Sequence, residues 1–380
     1  MKQDETEQEY KKGPTPVVGR KPIGKAQFKC IEALNHRVFV SIMKKLHVFI
    51  LTLFVAAAFQ GCDNRNSGTA SGAPQKKLRL GVVINAPSDY MSLVRLGCDR
   101  VVRGLDNVDL DFRIPIDSTA EAQQEIVSNL VADGVDGIAI SPVDADKQTD
   151  FLNHIATNTL LVCIDSDAQN SQRACYIGTD NVAAGRQAAD LLKAALPQGG
   201  KIMLFVGYAN AQNTIDRLRG IEEGLAGSSI QILDTVADGT KRAVAFKNAE
   251  DALAKYPDLA GMVGIYDYHG PAILTAVRDA GRTGKVKIVC FDEDSDTLAG
   301  VAAGDIYGTV VQNGFQIGGQ AIFRMANYLR GDKTQLAGGK IFMSSQAATK
   351  DNIAHFQNEL KEVINQKDAG PATTTGKPSN

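Results

Sequence analysis

Val162-Cys163-Ile164-Asp165 and Val289-Cys290-Phe291-Asp292 stand 127 residues apart, and each is a short apolar run that stops on a carboxylate. A second pair keeps nearly the same interval, since Gly137-Ile138-Ala139-Ile140 is answered 124 residues later by Gly261-Met262-Val263-Gly264. Two copies of one structural unit account for both. Apolar runs at 78–84, 108–114, 137–141, 160–165 and 175–177, and again at 201–206, 230–235, 261–266, 285–291 and 306–311, have strand length. Between them, 120–133, 183–196, 214–225, 243–255 and 272–280 carry apolar residues at helical spacing. Strands that are apolar throughout are covered on both faces, and alternation of strand with helix builds parallel, doubly wound sheets. The expected fold is therefore α/β, with two doubly wound parallel-sheet lobes and a ligand cleft between them. Ligands of such sheets bind beyond the carboxyl ends of the strands, which puts Asp165 and Asp292 on opposite walls of that cleft.

The chain has 380 residues, 44% apolar and 22% charged, with 41 basic and 43 acidic side chains and a formal charge of −2. Disorder is excluded by the apolar content, and an electrostatic nucleic-acid binder by the lack of a basic cluster. No Trp is present, so any aromatic surface comes from Phe or Tyr.

Leu46 to Phe59, LHVFILTLFVAAAF, follows Lys44 and Lys45 and precedes Gly61-Cys62. It is shorter than the roughly 20 apolar residues that span a bilayer, and it has the parts of a secretory signal. Gly61-Cys62 resembles a bacterial lipobox, so Cys62 is the expected lipidation site and the only expected contact with a membrane. Residues 1–42 are polar and would bury this signal internally; Met43 is the expected start, with the signal over 43–62. A Ser/Gly-rich tether over 63–77 and a structureless tail over 365–380 flank the folded body. Within that body Cys163 and Cys290 lie in apolar runs and read as small buried hydrophobes, a Cys163–Cys175 disulfide being the alternative in an exported chain.

Several segments in order resemble the periplasmic binding proteins of the ribose-binding type, which share their fold with lac-repressor effector domains. They are Pro87-Ser88-Asp89-Tyr90 after the first strand, ISPVDAD at Ile140–Asp146, CIDSD at Cys163–Asp167, YIGTDN at Tyr176–Asn181, DRLRG at Asp216–Gly220, GIYDY at Gly264–Tyr268, VCFDED at Val289–Asp294 and QNGFQIG at Gln312–Gly318. The resemblance implies lobes of 78–179 plus 313–341 and of 180–312 plus 342–364, joined by crossings near Asp180, Gln312 and Ile341. It places Asp165 and Thr179 on the first wall, Arg217, Tyr266 and Asp292 on the second, and Gln312 at the hinge side. Departures from the family pattern are Ser166 in place of an Arg, Ser141 in place of an Asn, Tyr266 in place of an Asn, and Asp89 where an aromatic is expected.

The chemistry agrees with a sugar. A carboxylate accepts from neighbouring hydroxyls, a guanidinium donates in a fixed fork, an amide does both, and a ring face covers C–H groups. Asp165, Asp292, Arg217 and Gln312 supply the polar groups, and Phe291 and Tyr90 the ring faces. Alternatives exist for several of them. The two aspartates could cap turns, Arg217 could lie with Arg219 on an exposed helix face, and Tyr90 could be core. Strand alternation would turn only one of Tyr266 and Tyr268 to the cleft. His154, His269 and His355 lack metal-ligand spacing and read as surface groups. Asp292 to Asp296 looks calcium-like, but Thr297 and Ala303 occupy the sixth and twelfth positions, where such a loop needs Gly and an acid.

The expected function is that of an extracytoplasmic solute-binding protein of an ABC importer. It binds a monosaccharide, a ribose-like pentose or a hexose, and delivers it to the permease as a monomer, with no cofactor or metal. Alternatives are a sugar sensor read by a chemoreceptor or sensor kinase, a transcriptional regulator sharing the fold, and a glycoside-acting enzyme. The regulator lacks a helix-turn-helix ahead of Leu78, and the enzyme lacks any nucleophile, phosphate-loop or metal motif.

Overall fold

The computed structural model describes residues 76–365. The expected leader, Cys62 and most of the tether lie outside the described residues, as does the tail from 366 on. The chain first builds β1 (Leu78–Val83), β2 (Val108–Arg113), β3 (Gly137–Ile140), β4 (Leu160–Ile164) and β5 (Cys175–Thr179). It then builds β6 (Gly200–Val206), β7 (Ile230–Ala237), β8 (Leu259–Gly264), β9 (Lys287–Phe291) and β10 (Gly308–Val311). On its return it adds one edge strand to each sheet, β11 (Lys340–Met343) and β12 (Gln346–Thr349). The spatial orders are β11-β5-β4-β3-β1-β2 and β12-β10-β9-β8-β6-β7, one topology used twice. Only the β10–β12 pairing is antiparallel.

Helices cover both faces of both sheets. On the first sheet, α1 (Asp89–Arg103) packs on one face, with α2 (Ala120–Ala132) and α3 (Ala145–Ala156) on the other. On the second, α4 (Asn181–Ala195) and α5 (Gln212–Leu225) share a face; α6 (Arg242–Lys255), α7 (His269–Asp279) and α8 (Ser295–Ala303) share the other. The returning chain lays α9 (Gly314–Leu329) beside α1, and α10 (Ile353–Asn365) closes the second lobe against α8. The helix beginnings are capped locally: Ser88, Thr119, Asp144 and Asp180 each accept a first-turn amide of the helix that follows.

In each lobe one helix pair meets backbone to backbone. A Cβ on Gly97 of α1 would lie 1.9 Å from the Phe315 carbonyl oxygen, and one on Gly318 of α9 would lie 2.0 Å from that of Val94. In the second lobe, a Cβ on Gly185 of α4 would lie 2.2 Å from the Arg217 carbonyl oxygen, and one on Gly220 of α5 would lie 2.2 Å from that of Val182.

One detail departs from the sequence reading, and two settle alternatives that it left open. The third crossing falls at Ser344-Ser345, past Ile341, because β11 continues to Met343. Cys98, Cys163, Cys175 and Cys290 are all free and buried. Cys163 pairs in register with Tyr176 rather than Cys175, and the thiols of Cys163 and Cys175 pack into cores on opposite faces of the sheet, which rules out a bridge. The calcium-like run instead starts a helix, where Asp294 accepts from the amides of Asp296 and Thr297 at 2.9 and 3.0 Å.

Candidate ligand-binding site

Asp165 and Asp292 follow the last residues of β4 and β9, and both adopt a left-handed backbone, with φ of 58° and 71°. This region is uncommon for residues other than Gly, Asp being among those that tolerate it best. Neighbouring strands hold both turns. The Tyr176 phenol of β5 lies 2.8 Å from the Asp165 carbonyl oxygen, and the Thr309 hydroxyl of β10 donates to the Asp292 carbonyl oxygen at 2.8 Å. The two carboxylates border one cavity, and each residue is 3% exposed.

Asp165 Oδ2 accepts from Ser141 Oγ at 2.8 Å, from Asn85 Nδ2 at 3.3 Å and from Asn213 Nδ2 of the opposite lobe at 3.5 Å. Asp292 Oδ1 accepts from the Gln312 amide nitrogen. Burial pushes both carboxyl groups above the usual carboxylate range, Asp292 well above, with Arg217 opposing the shift in each case.

Arg217 is buried on α5, not part of an exposed helix face. Its Nε donates to Asn181 Oδ1 at 2.9 Å, and its two Nη donate to the Ile265 carbonyl and to Gln312 Oε1. The guanidinium lies over the Phe291 ring at 4.7 Å. A guanidinium has five N–H groups, so one on each Nη is left for the cavity. Gln312 thus accepts from Arg217 and donates to Asp292, which fixes the orientation of its amide.

Three tyrosines complete the wall. The Tyr90 phenol is buried with no hydrogen-bond partner among the described residues. Tyr266 shares a hydrogen bond with Thr214 Oγ1 at 3.0 Å, and burial pushes its phenol up to about 12. Tyr268 donates to Asp238 Oδ1. Strand alternation does not choose between Tyr266 and Tyr268, because β8 ends at Gly264 and both rings leave the turn beyond it.

His269 is a correction. It is fully buried at the start of α7, with Nδ1 accepting from the Tyr266 amide at 3.0 Å and Nε2 lying 2.7 Å from Asp238 Oδ2. An accepting Nδ1 places the ring proton on Nε2, which donates to Asp238. His154 and His355 are on the surface.

Some expected residues stand elsewhere. Phe291 does not border the cavity; its ring is buried in the core beneath Arg217. Ser141 stands behind Asp165 as its donor, and Ser166 and Thr179 are buried away from the cavity wall, their hydroxyls without a partner among the described residues. Asp89 is exposed and pairs with Arg242 of the other lobe at 3.2 Å. Sequence reasoning passed over Asn85, Asn213, Thr240 and Asp267, all of which line the cavity. Asp267 stands between the two tyrosines already quoted, and Asn213 sits one helical turn before Arg217 on the same face.

The lobes are closed on each other. Asp267 Oδ2 accepts the Tyr90 amide at 3.1 Å, and Tyr208 Oη donates to the Ser118 carbonyl at 2.8 Å. The cavity left between them is small, about 40 Å³, below the roughly 300–1,000 Å³ of small-molecule sites. Among the described residues no helix is long and apolar enough to cross a membrane, and no group of three His, Cys, Asp or Glu side chains is placed to hold a metal ion.

Comparison with known proteins agrees with this architecture. A family profile described as the periplasmic binding protein domain matches residues 80–333. The chain is 28% identical over 249 residues to a xylitol-binding protein of Mycolicibacterium smegmatis, covering 65% of this chain and 70% of that one. It is 24% identical over 300 residues to the ribose import binding protein RbsB of Bacillus subtilis, covering 78% and 94%. A solved ABC transporter solute-binding protein of Burkholderia graminis in complex with D-arabinose superposes with a TM-score of 0.69 at 26% identity, over 73% of this chain and 97% of that one. Another, from Agrobacterium vitis with bound D-fucose, gives 0.68 at 26% identity, over 72% and 96%. With a profile match across both lobes and twin sheets facing one cleft, the chain belongs to the type I periplasmic binding proteins, which bind solutes for transport and are not enzymes.

Proposed function

We propose that this protein captures a monosaccharide in its interlobe cavity and delivers it, as a monomer, to the permease of an ABC importer outside the cytoplasm. The observation that carries this is the pairing of Asp165 with Asp292 at equivalent strand tips, joined through Gln312 to the Arg217 fork and walled by tyrosine rings. Carboxylate, guanidinium and amide together match adjacent hydroxyls, and the rings match C–H faces. The arabinose, fucose, ribose and xylitol binders among its relatives support the same class of ligand.

The mechanism is a hinge equilibrium. A guest that touches both walls favours the closed form by the difference in its contacts with the two forms, and the permease reads that form. Export through the 43–62 segment and a lipid on Cys62 would hold the protein at the membrane surface; these positions lie outside the described residues. A thermal-shift and calorimetric screen over pentoses, hexoses, sugar alcohols and their amino derivatives tests the assignment. A true ligand at 100 times its Kd stabilises by about 2.7 kcal/mol. The absence of both a shift and heat across every member would overturn it.

A further inference from the structure

We infer that the preferred guest is a monosaccharide or sugar alcohol carrying one protonated amino group, a subclass that rests on the sugar-binding reading of the same site. The charges that border the cavity decide this. Asp165, Asp267 and Asp292 are 3%, 4% and 3% exposed, and Arg217 is the only cationic residue beside them. Every other lining side chain is neutral, and Glu293 follows directly behind Asp292.

A neutral sugar would leave the excess negative charge uncompensated in a closed space. A buried, unpaired carboxylate is costly and tends to take up a proton instead. The upward displacement of Asp165 and Asp292 is the same effect, and Asp267 contributes repulsion to both. Arg217 offsets only part of it, since one positive charge stands against three carboxylates and both carboxyls still lie above their usual range.

The site is built to receive something. Tyr90 is 6% exposed, borders the cavity, and has a phenol with no partner among the described residues. Asp165 Oδ1 and Asp292 Oδ2 accept no hydrogen bond from any described residue. Among the described residues no three His, Cys, Asp or Glu side chains converge to hold an inorganic cation. An ammonium supplies one positive charge and three donors, makes charge-assisted bonds to carboxylates, and is compatible with the faces of Tyr90, Tyr266 and Tyr268. The two spare N–H groups of Arg217 still require an oxygen-bearing guest, so a plain alkyl amine does not satisfy the site.

Titration calorimetry on the whole chain compares D-glucosamine, D-galactosamine and D-glucamine with D-glucose, D-galactose and D-sorbitol. N-acetyl-D-glucosamine serves as the uncharged nitrogen control. The best amino compound is expected to bind at least tenfold more tightly than its hydroxyl parent, and N-acetyl-D-glucosamine to lose that advantage. Asp267→Asn should reduce the amino-to-parent ratio at least fivefold, and Asp267→Glu should keep it, with melting curves verifying that both variants fold. Parents that bind as tightly as their amino derivatives would overturn the inference and leave the sugar reading intact. A ratio unmoved by Asp267→Asn would overturn it as well. Silence from every compound would remove the sugar reading on which it stands.

Discussion

Asp292 joins a left-handed main chain, held by Thr309, to a carboxylate shared between Gln312 and the cavity. Removing one partner of a buried charge-assisted bond costs roughly 2–5 kcal/mol, so Asp292→Ala is expected to weaken binding of whichever sugar the screen identifies by at least tenfold. Calorimetry reads the loss, and an unchanged far-ultraviolet spectrum shows that the fold survives. Its neighbour Glu293 behaves differently. Burial raises this carboxyl from 4.5 to about 7, and its Oε2 has no partner among the described residues. The folded state therefore binds the proton more tightly than the unfolded one, and stability falls as pH rises from about 4.5 through about 7. Glu293→Gln should stabilise the protein by about 3 kcal/mol at pH 8 and give no gain at pH 4, measured by denaturant unfolding at each pH. The two cleft aspartates were legible because their strand context is duplicated. His269 was not, because a single imidazole in sequence carries no sign of whether an apolar shell surrounds it.

At the scale of elements, the glycines set where helices can approach. Gly185 lets α4 lie directly on the main chain of Arg217. Gly185→Ala would push α5 outward; overpacking of this kind costs about 1–3 kcal/mol, and the displaced guanidinium would no longer meet Gln312. The expected result is a lower melting temperature together with weaker sugar binding, whereas Gly227→Ala, where a Cβ meets nothing within 4 Å, should lower stability through its φ of 76° without touching Arg217. The same chemistry explains why α9 was missed. Its sequence GFQIGGQAIFRMANYL holds Gly314, Gly318 and Gly319, which propensity reads as breakers; they are tolerated because α1 packs against them. The edge strands β11 and β12 are four residues each and partly exposed, leaving no apolar run to announce them. The central strands, buried on both faces, were plain.

For the whole molecule, closure is held by bonds that no guest supplies: Tyr90 to Asp267, Arg242 to Asp89 and Tyr208 to Ser118. They lower the cost of closing, and with it the differential affinity that a ligand must supply. One hydrogen bond contributes about 1 kcal/mol, and Tyr208→Phe should therefore raise the Kd for the identified sugar by about fivefold. Small-angle scattering should show the ligand-free variant more extended than the parent protein, and an identical radius of gyration would mean that this bond does not govern closure. The doubled topology was visible as a repeat of 127 residues. The third crossing was expected near Ile341, a few residues early, because Ser344-Ser345 has no pattern that separates it from an ordinary loop.

Those crossings also order events in time. The first sheet lacks β11 and its covering helix α9 until residue 343 has been made, and the second lacks β12 and α10 until residue 365. Translation thus delivers the pieces that finish both lobes last of all. A nascent chain carries two unfinished domains, and final packing waits for its trailing end to emerge.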